Sequence, residues 1–160
     1  MNPKNSDNFL GIQSQLWTET VRNEMIFDAL LFPNLIIFSE RSWAPRPDWI
    51  NLKGEEQIAA MNVDWNQFSN TIGQRQLPLI DQRVKPWSYD LPKAGAIIKQ
   101  NKLYIRQAFP GMEIRYTLDG SLPTYQDALY QKPVEIEPEA KVKIRVFNAK
   151  RRGGKTIEIN

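Results

Sequence analysis

The sequence predicts an α+β protein, with a mostly helical first half followed by an antiparallel β-sandwich. Three observations carry this. Apolar and polar residues alternate with period two through much of residues 91–160. Turn residues punctuate that stretch at short spacing, with no helical period between them. Between Met25 and Trp43 the apolar residues instead cover nearly every side of a helix.

The elements follow in chain order. Phe9 to Leu16 mixes apolar residues with Gly11 and ends at Trp17-Thr18-Glu19, which fits a buried strand. Met25, Ile26, Phe27, Leu30, Leu31, Leu35, Ile36 and Phe38 then define a helix expected to be buried on more than one face. Pro33 has no N–H to donate to the carbonyl of Ala29, so the helix should kink or break there. Ala44-Pro45-Arg46-Pro47 ends it. A second helix is expected from about Asp64 to Gln74, where Trp65, Phe68 and Ile72 form a stripe. Pro86 to Pro92 reads as a linker, dividing the chain into residues 1–85, a connection at 86–92, and a sandwich at 93–160.

In the second half, Met112 to Leu118 and Lys141 to Val146 alternate cleanly, Val134 to Glu137 and Ile157 to Ile159 more briefly. Leu103 and Ile105 fit an earlier strand. Asn101, Pro110-Gly111, Asp119-Gly120, Pro138 and Gly153-Gly154 supply the turns. Several short strands at this spacing make a sandwich.

Composition removes whole classes of chemistry. With no cysteine and no histidine among 160 residues, disulfides, thiol nucleophiles and histidine triads are excluded. Metal sites would have to be built from carboxylates alone, and no cofactor is indicated. The densest apolar run is interrupted by Pro33 and Asn34, so no membrane span is expected. Charge is uneven: residues 1–90 hold 8 Lys/Arg against 11 Asp/Glu, residues 91–160 hold 13 against 7. The basic residues of the second half alternate with apolar ones along strands, as on a solvated sheet face. Nucleic-acid binding is therefore not expected.

Residues 11–43, GIQSQLWTETVRNEMIFDALLFPNLIIFSERSW, resemble the end of the catalytic barrel of family 20 glycoside hydrolases, the β-N-acetylhexosaminidases and chitobiases. The matching pieces are Gly11, Leu16, Trp17, Glu19, Phe32, Pro33, Glu40, Arg41 and Trp43. Asp64-Trp65-Asn66-Gln67-Phe68 through Leu77-Pro78-Leu79 looks like the family's next segment. RYTLDGSLPT at 115–124, Leu129-Tyr130 and Pro133-Val134 are similar to the immunoglobulin-like C-terminal domain of chitobiases. The resemblance implies a truncated tail of a (β/α)8 barrel, one strand and helices, ahead of an immunoglobulin-like sandwich. For the whole enzyme it implies removal of terminal N-acetylhexosamine with retention. The substrate's own acetamido oxygen attacks, an Asp orients it, and an adjacent Glu protonates the leaving group. That pair sits in a His-x-Gly-Gly-Asp-Glu motif absent here, so no catalytic residue is expected in this chain and activity alone is not expected. The family suggests a periplasmic or secreted location.

Candidate site residues follow from both sources. Trp17 and Glu19, two apart at a strand's end, point to one side, where barrel active sites lie. Spacing alone fits a rim tryptophan packed in core beside a solvated glutamate. The resemblance instead makes Trp17 a stacking surface for the sugar and Glu19 an acceptor for its outer hydroxyls, that is, substrate-binding residues. Glu40 and Arg41 read as an ion pair or helix C-terminal decoration, and Trp43, Trp49, Trp65 and Trp87 as packing residues. Asp119-Gly120 reads as a hairpin turn, and the basic cluster Lys150 to Lys155 as a hairpin loop. The partners expected are a glycan bearing N-acetylhexosamine, bound through the complete enzyme, and the missing catalytic barrel. In its absence residues 9–38 are expected to self-associate or to leave their barrel geometry. The alternative is a non-catalytic carbohydrate- or protein-binding sandwich, for which Tyr104 is the main outward aromatic.

Overall fold

The computed structural model describes residues 11–83 and 89–159. Helices come first: α1 (Glu24–Leu31), α2 (Asn34–Trp43), a short 3-10 turn, α3 (Gly54–Thr71) and α4 (Leu77–Arg83). Among the described residues seven strands follow: β1 (Gly95–Lys99), β2 (Lys102–Arg106), β3 (Glu113–Thr117), β4 (Ala128–Leu129), β5 (Val134–Glu135), β6 (Val142–Phe147) and β7 (Ile157–Ile159).

Gly11 to Leu16 forms no strand, which corrects the expectation for the described part of Phe9–Leu16; Phe9 and Leu10 lie outside the described residues. A strand's backbone groups need a neighbour, and none of the described residues pairs with this segment. The helix predicted from Met25 to Trp43 does break at Pro33, between α1 and α2. The Asn23 side chain caps α1 by accepting from the Ile26 N–H at 2.9 Å. Burial on several faces is not found. Met25, Phe27, Leu30, Leu35 and Ile37 are all exposed, and no residue of either helix is fully buried. Among the described residues, Phe32 and Ile36 are the ones from this stretch that pack against a core.

The second helix is longer than its apolar stripe indicates. Helical backbone runs from Gly54 to Arg83, interrupted by a π-turn over Ile72–Gln76. Good helix formers (Glu55, Glu56, Gln57, Ala59, Ala60) carry the early, solvent-facing turns, where Ile58 and Val63 stay exposed. The π-turn also explains how the helix passes Pro78. That residue cannot donate to a carbonyl one turn back, and the extra residue of the wider turn loosens the ladder there.

The strands form two sheets, β1-β2-β5 and β4-β3-β6-β7, all antiparallel. β1, which the alternation leaves unassigned, pairs with β2 through a two-residue turn. Gln100 (φ 51°) and Asn101 (φ 56°) both occupy the left-handed region that such a turn demands. Inward residues Leu103, Ile105, Ile114, Val142, Ile144 and Val146 fill the core between the sheets, as the alternation predicts. The Ile105 N–H donates to the Tyr130 hydroxyl at 2.9 Å, tying the first sheet to the segment after β4.

A second core joins helix to sandwich. Ile72 and Leu77 of the helical stem meet Tyr89, Leu91 and Phe109, all buried. Tyr89 and Leu91 fall in the stretch read as a linker, so that part of it is packed rather than free. The expected Pro86 and Trp87 lie outside the described residues.

Candidate functional site

Trp17 and Glu19, the expected sugar contacts, sit in irregular chain ahead of α1. Trp17 is 72 % exposed. Glu19 is also exposed, within a turn closed by the Val21 N–H donating to the Thr18 carbonyl at 3.0 Å. An open indole face and a free carboxylate are the chemistry sugars engage, through stacking of C–H faces and acceptance of hydroxyl hydrogens.

Two of the other aromatic candidates, Trp49 and Trp65, border a cleft of about 510 Å³ between the end of α2, the proline loop and α3. Its walls include Ile37, Glu40, Arg41, Trp49, Asp64 and Trp65. Trp49 donates its indole N–H to Asp64 at 2.9 Å, which occupies that carboxylate. Trp65 lies 5.7 Å from Phe68 and 6.4 Å from Phe109, so it packs stem against sandwich as expected. Trp43 does not pack: it is 88 % exposed, because it ends α2 where nothing among the described residues covers it. Trp87 lies outside the described residues. Arg41 stands in the last turn of α2, where a cation complements the helix dipole.

Asp119 closes a turn, though not the tight hairpin expected: the chain runs from Thr117 to Ala128 before β3 meets its next strand, and Asp119 itself bridges Lys141. Its carboxylate accepts from the Ser121 N–H at 2.9 Å and hydroxyl at 2.6 Å, next to Gly120 at φ 82°. These bonds hold the Asp119 carboxyl below the usual range, and bonds from Thr124 do the same for Asp127. Carboxylates held ionised this way cannot act as general acids near neutrality. Among the described residues no group of acidic side chains is placed to hold a metal ion. No helix described is long and apolar enough to cross a membrane.

The sequence reading missed a buried polar cluster at the stem–sandwich junction. Asp81 on α4 is 8 % exposed and Asn148, just past β6, is 6 % exposed. The Tyr89 hydroxyl donates to Asp81 at 3.1 Å, and the Asn148 amide does so at 2.8 Å. One signal was available: Asp81 stands one turn after Leu77, on the stripe that the helix buries. Burial first, and the Asp81 charge second, push the Tyr89 hydroxyl up to about 12. The folded pKa thus lies above the unfolded value of about 10. The stabilisation is complete below pH ~10 and is lost as pH rises towards ~12. Denaturant midpoints measured from pH 9 to 12 are expected to fall more steeply for the unsubstituted chain than for Tyr89→Phe. Parallel curves would contradict this.

Comparison with known proteins gives two family matches in chain order. Residues 1–46 match the catalytic domain of glycosyl hydrolase family 20. Residues 80–156 match the chitobiase/beta-hexosaminidase C-terminal domain. An N,N'-diacetylchitobiase of Vibrio harveyi is 36 % identical over 130 residues, covering 74 % of this chain and 14 % of the relative. A beta-hexosaminidase of Vibrio vulnificus is 31 % identical over 170 residues, covering 94 % of this chain and 19 % of the relative. A third, from Porphyromonas gingivalis and also called beta-hexosaminidase, is 27 % identical, covering 91 % of this chain and 17 % of the relative. The chain spans less than one fifth of the length of these relatives. By its two matched domains, the chain belongs to the family 20 glycoside hydrolases of the chitobiase and hexosaminidase kind.

Proposed function

We propose that this chain is the C-terminal portion of a β-N-acetylhexosaminidase that releases terminal N-acetylhexosamine by substrate-assisted, retaining hydrolysis. The observation that carries the reading is the order of the two matches, catalytic-domain end first and C-terminal domain second. In it, residues 1–85 end the catalytic barrel, 86–92 connect, and 93–160 form an accessory sandwich. Trp17 stacks on the sugar and Glu19 accepts from its hydroxyls. The acid and the amide-orienting carboxylate come from residues outside this chain, whose sequence has no histidine and no Asp-Glu dipeptide. The exposed apolar side chains of Met25, Phe27, Leu30, Leu35 and Ile37 are ones that the rest of the barrel covers; in the isolated chain they drive self-association.

The isolated chain is expected not to release nitrophenol from a nitrophenyl N-acetyl-β-glucosaminide. In the enzyme that also carries the remaining barrel, Trp17→Ala should lower kcat/KM by roughly 10–100-fold, the loss of about 1.5–3 kcal/mol of sugar contact. Hydrolysis by the isolated chain, or an unchanged kcat/KM in the Trp17→Ala enzyme, would sink the reading.

A further inference from the structure

The basic cluster at 150–155 has a partner inside the molecule. Lys150 donates its ammonium to the Asp81 carbonyl at 2.7 Å. Arg152 donates to the Tyr89 carbonyl at 2.9 Å, reaches the Asp81 carboxylate at 3.5 Å, and lies over the Tyr89 ring at 4.4 Å. Lys155 pairs with Asp90, and Arg151 lies over the Tyr125 ring at 4.9 Å. Asn148 shapes the loop itself. Its side-chain oxygen accepts the N–H groups of Lys150 and Arg152 at 3.1 and 2.8 Å, while its amide donates to Asp81.

The division of labour is one-sided. Asp81 on the helical stem and residues 89–90 supply the acceptors, and the sandwich loop supplies the donors. A buried carboxylate deprived of its donors is strongly destabilising, so Asp81 keeps its donors only while stem and loop are together, although the Arg152 Nε–H itself meets no acceptor among the described residues. Backbone fit around them is equally close. A Cβ on Gly154 would meet the Leu91 side chain at 3.0 Å. The match to the C-terminal domain begins at Ile80, which places Asp81 and Tyr89 within the same matched unit as the loop.

We infer that Asp81 and the 148–155 loop form an internal clamp that fixes the sandwich on the end of the long helix, and that the basic cluster does this rather than capture an external anion. The clamp couples α4 to β6, β7 and the loop between them.

Exchanging the two groups tests it in the full chain. Asp81→Asn removes the charge that Arg152 faces, and Asn148→Asp sets two carboxylates against each other. By hydrogen–deuterium exchange, each single variant is expected to lose protection on the order of tenfold in residues 77–83 and 142–157 together, with residues 102–106 unchanged. The double exchange keeps one carboxylate and one amide across the contact and should restore most of that protection. A titration with inorganic phosphate should leave the 148–155 amide signals in place. Three results would each overturn the inference: protection lost on one side only or equally in 102–106, a double variant no better than the singles, or saturable phosphate binding at the loop.

Discussion

Gly73→Ala is expected to destabilise the chain by more than about 3 kcal/mol, enough to unfold much of a small domain. Gly73 lies buried in the π-turn, pressed against the loop that carries Pro110. A Cβ there would stand 2.0 Å from the Pro110 carbonyl oxygen and 3.0 Å from its carbonyl carbon and nitrogen. All three are backbone atoms, so no rotamer change relieves the contact. The reverse side is as tight, since a Cβ on Gly111 would meet the Gly73 oxygen at 3.2 Å. Alanine gains about 1 kcal/mol of helix propensity over glycine, far less than the overlap costs. Relief requires the stem to draw back from the loop, which opens the core of Ile72, Leu77, Tyr89, Leu91 and Phe109. Urea unfolding followed by tryptophan fluorescence checks it; a change within about 0.5 kcal/mol would show that the stem does not press on the sandwich.

Leu103→Ala should cost about 2–5 kcal/mol, because it removes a fully enclosed side chain from the centre of the other core. Leu103 is 0 % exposed on β2, the middle strand of its sheet, and packs with Val142, Ile144 and Val146 of the opposite sheet. Ile97 on the neighbouring strand is a control of similar size but 61 % exposed. Ile97→Ala should stay within about 0.5 kcal/mol. Equal losses from the two substitutions, in the same urea experiment, would mean that the two sheets do not enclose the core the alternation marks.

Much of the sandwich was legible because a period of two states directly which side chains turn inward. Val142, Ile144 and Val146 were named by pattern and are buried. The helical half was less legible, for identifiable reasons. A strand at 11–16 depends on a neighbour that the local sequence does not contain. Helix α3 begins eleven residues before its apolar stripe, on residues chosen by propensity alone. Pro78 reads as a stop, and only an extra residue in the π-turn lets the helix continue. The candidate site was legible as residue types. Trp17 and Glu19 are exposed, but what they would face is not encoded in their own spacing. The Asp81 cluster was hidden for another reason: its groups come from distant parts of the chain, and local pattern says nothing of such meetings.

That distance orders the assembly of the molecule. The Asn148–Asp81 and Arg152–Asp81 contacts join groups 67 and 71 positions apart. Closing so long a loop loses more entropy than the contacts return until the strands between them have paired. Helix α3, built from contacts a turn apart, can form at once. The grip on the stem therefore comes late, because the sandwich must close before there is a loop to hold it.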